Sequence, residues 1–157
     1  MTIVDQLIDD HAFFKAAFAE FETLGSSPEQ EETALRASEL VHLFRSRHRV
    51  HLHRESAVLF PVFLGYLQTH HTDVTRAEIF HHLQEEHSDV GRNVYLLEQD
   101  IDSRPANGGW LKSYRDLNAV FVPHMRNEEE HIFPEAVRLM PEKQLEEMAC
   151  SEFFPAF

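Results

Sequence analysis

The stretch from His51 to Pro61 and the stretch from His124 to Pro134 obey one pattern, H-x3-E-x4-F-P. This internal repeat constrains the chain more than any other feature of its 157 residues. From the chain's own residue frequencies, roughly 0.005 copies of the pattern are expected, so a chance pair is on the order of one in 10⁵. A spacing of four puts an imidazole and a carboxylate about one turn apart on the same helical face. A further histidine precedes each copy, His11 before His51 and His87 before His124. Each half of the chain therefore reads as a helical hairpin carrying His and then His-x3-Glu.

The rest of the pattern is helical as well. Ile3, Leu7, His11, Phe14 and Phe18 form one face of a first helix that stops at Gly25. Ser27-Pro28-Glu29-Gln30 predicts the start of a second, with Ser27 as cap and Pro28 in the first turn. Its inner stripe is Phe44, His48, His51, Glu55 and Val58, and Pro61 predicts a bend or a break. His70 to Asp73 reads as a connection, and Thr75 to Glu78 as the capping box of a third helix with the stripe Ile79, Leu83, His87, Val90, Val94, Leu97 and Ile101. Pro105 to Gly109 is a loop signal. Leu117, Phe121, His124, Glu128 and Ile132 trace a fourth helix that Pro123 should bend. The expected fold is all-α: an antiparallel up-down-up-down four-helix bundle over about 3–134, followed by an extension, 135–157, with a short helix from Pro141 to Met148. The whole of 1–157 reads as one domain. The apolar tail, Phe153 to Phe157, is expected to pack back or into a partner.

Composition narrows the function. Fourteen basic against 27 acidic residues give a formal net charge of −13, which repels nucleic-acid phosphates and anionic lipid. No apolar run is long enough to span a bilayer, and MTIVDQLIDDHAFF has neither a basic start nor a small-residue cleavage site, so the expected location is the cytoplasm. The one cysteine, Cys150, cannot make an internal disulfide. Twelve histidines beside 27 carboxylates are nitrogen and oxygen donors in excess, and they pose the question of metal binding.

Glu55 and Glu128 reach toward each other from opposite helices. Two carboxylates in an apolar bundle repel and lose hydration unless they are protonated or bound to cations. Two divalent ions bridged by both carboxylates resolve the conflict, with His11 and His51 on one and His87 and His124 on the other. Imidazole with carboxylate suits iron better than magnesium or calcium. Phe14, Phe18, Phe44 and Phe121 have core spacing and would keep such a site dry. Most other histidines, His42, His53, His70, His71, His81, His82 and His131, read as surface residues. Glu129 and Glu130 fall out of register with His124 and read as solvated or as supports behind the ligands.

These residues resemble the hemerythrin-like, or HHE cation-binding, family: an early helix-1 His, an H-x3-E followed by Phe-Pro, a helix-3 His and a second H-x3-E. The resemblance spans residues 3–134. It implies a four-helix bundle around a non-haem di-iron centre that binds or reacts with oxygen, with His11, His51, Glu55, His87, His124 and Glu128 as ligands. Hemerythrins carry a second helix-3 histidine four residues from the first, where this chain has Leu83 and Gly91. His48, Glu86, His82 or water are the candidate substitutes.

The functional expectation is a protein with two iron ions, ahead of zinc or manganese, that binds, senses or reacts with oxygen, nitric oxide or peroxide. The alternatives are a di-iron oxidoreductase, an iron-donating repair protein, or a structural bundle holding zinc.

Overall fold

A computed structural model describes the chain except residues 29, 71–73, 104–108 and 152–157, and except the side chains of 70, 74–77 and 79. The described residues are almost entirely helical and contain no strand. Helix α1 spans Ile3–Leu24, α2 Glu31–His53, α3 Phe60–His70, α4 Val74–Ser103, α5 Trp110–Asn127, α6 Phe133–Leu139 and α7 Glu142–Ala149. The chain does not break between α2 and α3 or between α5 and α6. Short π-helical segments, Arg54–Leu59 and Glu128–Ile132, carry it through. Helix α1 packs on α2 and α5, and α4 packs on α2 and α5, the pairing expected of a helical bundle.

Local chemistry explains the boundaries. Thr2 and Asp5 close a reciprocal capping box on α1, with the Asp5 N–H donating to Thr2 Oγ1 at 3.2 Å and the Thr2 N–H to Asp5 Oδ2 at 2.7 Å. Gly25 ends α1 as expected, and its N–H returns to Phe21 O at 2.8 Å. Helix α2 starts later than Ser27-Pro28 predicts. Ser26 and Ser27 give their N–H groups to Thr23 and Leu24 in the turn that leaves α1, and the cap of α2 is Gln30. Helix α4 begins at Val74, which places Thr75 inside it. Of the predicted connection at 70–73, His70 instead ends α3, and 71–73, nearly all of the predicted loop at 105–109 and the apolar tail lie outside the described residues. The short C-terminal helix is present as α7, whose Leu145 is buried and whose Ala149 carbonyl accepts from Gln6 Nε2 at 3.1 Å.

None of the three prolines within these helices ends its helix. Neither Pro61 nor Pro134 breaks its helix, and Pro123 sits on the exposed face of α5 without ending it. Pro lacks the N–H that the preceding turn would receive. Just before Pro61 and Pro134 the chain widens by one residue, the Phe60 N–H bonding to Glu55 O and the Phe133 N–H to Glu128 O. The extra residue rotates the rest of the helix, so the buried stripe passes from Glu55 to Leu59 and Phe60, and the expected Val58 is only half-buried.

The interior falls into two apolar clusters. Phe14, Phe18, Phe44, Phe121 and Trp110 belong to one, and Ile3, Leu7, Leu59, Phe63, Leu83 and Phe133 to the other. Along α1 the order is Leu7, His11, Phe14, so the buried histidines form a polar layer between the two.

Candidate metal centre

Each of the six predicted residues reaches that layer from a different helical position. His11 comes from α1, His51 from the last turn of α2, Glu55 from the first π-helical segment, His87 from α4, His124 from α5 and Glu128 from the second π-helical segment. All six are buried, Glu55 and Glu128 completely. Their donor atoms form two groups, each with all atoms within 4.8 Å of one another: His11, His51, Glu55 and Glu128, and Glu55, His87, His124 and Glu128. Both carboxylates belong to both groups.

The contacts divide in the same way. Glu55 turns Oε1 toward His51 Nε2 at 3.1 Å and Oε2 toward His87 Nε2 at 3.1 Å. Glu128 turns Oε2 toward His11 Nε2 at 3.3 Å and Oε1 toward His124 Nε2 at 3.2 Å and His87 Nε2 at 3.6 Å. Each carboxylate thus offers one oxygen to each half. His11 Nε2, His51 Nε2, His87 Nε2 and both oxygens of Glu55 and Glu128 are buried without a hydrogen-bond partner. Seven such atoms facing one another are costly in a folded core unless a cation satisfies them. The donor set, two imidazoles and two carboxylates per half, fits a divalent transition metal.

The charge balance points the same way. Burial disfavours a charged ring at His51, yet Glu55 and Asp10 push its pKa up to about 10. His87 is likewise pushed up to about 9, by Glu128 and Glu55 against burial, and His124 is raised. Burial and mutual repulsion favour protonated carboxyls at Glu55 and Glu128, but the surrounding histidines hold both below the usual range. The carboxylates demand positive charge, which protons on imidazole or bound cations can supply.

The outer nitrogen of each ring faces a polar partner from behind, which hydrogen-bonds it in all but His51. Glu129 Oε1 lies 2.8 Å from His11 Nδ1 and also takes the Lys15 ammonium at 2.7 Å. Asp10, fully buried, lies 3.4 Å from His51 Nδ1 and is neutralised by Arg47 and Arg54. Glu86 Oε2 lies 2.9 Å from His124 Nδ1, and Ser56 Oγ lies 3.4 Å from His87 Nδ1. Such partners fix ring orientation and raise ligand basicity. Sequence reasoning reaches Glu129 only as a possible support and misses Asp10 altogether. The available signal for Asp10 is its place directly before His11.

None of the candidate side chains for a fifth ligand, His48, Glu86 or His82, joins the two groups. His48 is buried between Phe14 and Phe121, with ring centroids at 6.3 and 5.6 Å, and burial pushes its pKa down to about 3. Glu86 supports His124, and His82 is exposed beside Glu85. Leu83 is buried in an apolar cluster. Of the histidines read as surface residues, His42 is exposed but meets Glu98 and Asp102 on the outer face, where Arg45 already holds Glu98 at 2.7 Å.

A family model for the hemerythrin HHE cation-binding domain matches residues 2–136. The chain belongs to the hemerythrin HHE family. No curated protein and no solved structure matches it significantly. The matched range ends within α6, so the hemerythrin-family part contains all six residues of the polar layer, and α7 lies beyond it. Among the described residues no helix of this hemerythrin-family chain is long and apolar enough to cross a membrane.

Proposed function

We propose that this chain is a cytoplasmic non-haem di-iron protein that binds, senses or reacts with oxygen, nitric oxide or peroxide. Its helices make an antiparallel up-down-up-down four-helix bundle, and the ligands are His11, His51, Glu55, His87, His124 and Glu128. The observation that carries the reading is the pair of donor groups sharing both carboxylates, with seven buried donor atoms left without hydrogen bonds. Two irons at these positions, one per group, would supply electrons to a small oxygen- or nitrogen-donor ligand. Family membership supports cation binding, and the imidazole–carboxylate set suits iron better than magnesium or calcium.

The chain's own residues account for the rest. Glu55 and Glu128 hold the two halves together, each through one oxygen per half. Phe14 beside His51, Phe133 beside His11 and Phe121 beside His124, at 5.3, 5.5 and 6.1 Å between ring centroids, keep bulk water from the layer. The protein donors leave room for an exogenous ligand, and no side chain is required as a general base. The single, exposed Cys150 agrees with a reducing compartment.

Metal analysis of purified protein, with absorption spectra before and after admitting air to the reduced form, tests this reading. Two irons per chain and a near-ultraviolet to visible band on oxidation are expected. Less than one metal per chain after careful reconstitution rejects the metal centre, and two colourless zinc ions reject the redox role.

A further inference from the structure

The four histidines are not equally enclosed. His11, His51 and His124 are backed by carboxylates and are 0, 1 and 2% exposed, whereas His87 is backed by a hydroxyl and is 8% exposed. A surface groove between Ser56, at the α2–α3 junction, and Gln84, Ser88, Gly91 and Arg92 of α4 has His87 in its wall. Gly91 lies one helical turn beyond His87, and a Cβ built there would meet no other atom within 4 Å. The missing side chain is what leaves this stretch of the groove open.

Among the described residues, other sides of the centre are covered. Lys15 and Glu129 cover His11, Arg47 and Arg54 converge on Asp10 behind His51, and an apolar cluster lies on each side of the layer. A second, apolar cleft lined by Phe63, Phe80, Ile132 and Arg138 includes none of the six residues of the centre. A hydroxyl-backed imidazole is also a weaker donor than a carboxylate-backed one, which leaves an ion held by His87 more receptive to another ligand.

We propose that small polar or anionic ligands enter through the Ser56–Gly91 groove and bind on the His87–His124 half of the centre. The rim carries the hydroxyls of Ser56 and Ser88, the Gln84 amide and the Arg92 guanidinium, which also pairs with Asp89 at 2.9 Å, groups that can hydrogen-bond a small polar or anionic ligand. This inference rests on the di-iron reading above, and its test separates the two.

The probe is azide, added to the ferric, iron-loaded protein and followed by stopped-flow absorption, with iron content measured on every sample. Gly91→Ala and Gly91→Leu fill the groove in steps. Gly65→Leu is the matched control, an exposed helical glycine on α3 whose Cβ also meets nothing within 4 Å. Two irons per chain are expected throughout, with azide association slowed at least tenfold in Gly91→Leu, by less in Gly91→Ala, and unchanged in Gly65→Leu. Equal rates in iron-loaded Gly91→Leu and in the unmodified protein would overturn the entry route, as would an unmodified iron-loaded protein that takes no azide. A series in which neither Gly91 variant loads iron would overturn it too, by making position 91 part of the metal-holding core. Iron absent from the unmodified protein instead rejects the di-iron reading itself.

Discussion

Glu55 and Glu128 occupy equivalent positions in two π-helical segments. The backbone carbonyl of each accepts the N–H of the residue five further on, Phe60 and Phe133 respectively, and the side chain of each points into the same buried layer. The repeated His-x3-Glu-x4-Phe-Pro is thus the code for a widened turn as well as for a set of ligands. The glutamate carbonyl takes the last wide hydrogen bond, from the Phe N–H, and the proline comes next, where a regular helix would want an N–H.

If both carboxylates bridge, removing either should cost more than one donor. Glu55→Ala and Glu128→Ala are each expected to bind one metal or none, as measured by elemental analysis after reconstitution. Retention of two metals in either variant would show that the carboxylate is not shared.

The supports behind the histidines should tune affinity without being ligands. Glu129→Gln and Asp10→Asn are expected to weaken metal binding by about 10–100-fold while keeping a stoichiometry of two. Competition against a chelator of known affinity measures this. An unchanged affinity in both variants would mean that ring orientation is fixed by packing alone.

Proton release should accompany loading. In the metal-free protein His51 and His87 are charged at neutral pH, their pKa values raised to about 10 and about 9, and a ligating imidazole must be neutral. Loading at pH 7 is therefore expected to release at least two protons per chain, readable with an indicator in weak buffer. The same shifts set the pH dependence of the metal-free fold. A histidine whose folded-state pKa lies above its ordinary 6.5 stabilises fully below 6.5, and that contribution fades as pH rises through its folded-state value. Denaturant midpoints of the metal-free protein should fall between about pH 6.5 and 10, and those of the loaded protein should not.

His48 has the opposite sign. Its pKa is held down to about 3, so the unfolded chain binds a proton below pH 6.5 that the folded chain does not, and stability drains away as the medium is acidified from 6.5 toward 3. His48→Leu should shift the acid-unfolding midpoint of the metal-free protein downward and leave metal stoichiometry at two. Loss of a metal in this variant would make His48 a ligand after all.

The helical stripes and the membership of the two donor groups are legible in the sequence because both arise from periodicity. Leu7, His11, Phe14 and Phe18 fall on one face in any α-helix, and the buried face of α1 is that face. What periodicity conceals is a change of period. Regular turns would put Val58 on the stripe, but the added residue after Glu55 brings Leu59 inward instead. The cap of α2 lies at Gln30 rather than Ser27, which belongs to the turn that leaves α1, and the local capping pattern does not register that turn. Asp10 escapes notice because its partners, Arg47 and Arg54, lie far away in the chain and close only in three dimensions.

The polar layer divides the apolar interior into an upper and a lower block, each with its own aromatic residues. Between the blocks, cohesion across the six buried residues depends on whatever satisfies their facing donor atoms. Loaded protein should therefore melt as one cooperative body, while metal-free protein has a seam at mid-height. Amide exchange would register that seam as two families of protection, one around Trp110 and one around Phe63, that merge into a single family when metal is restored.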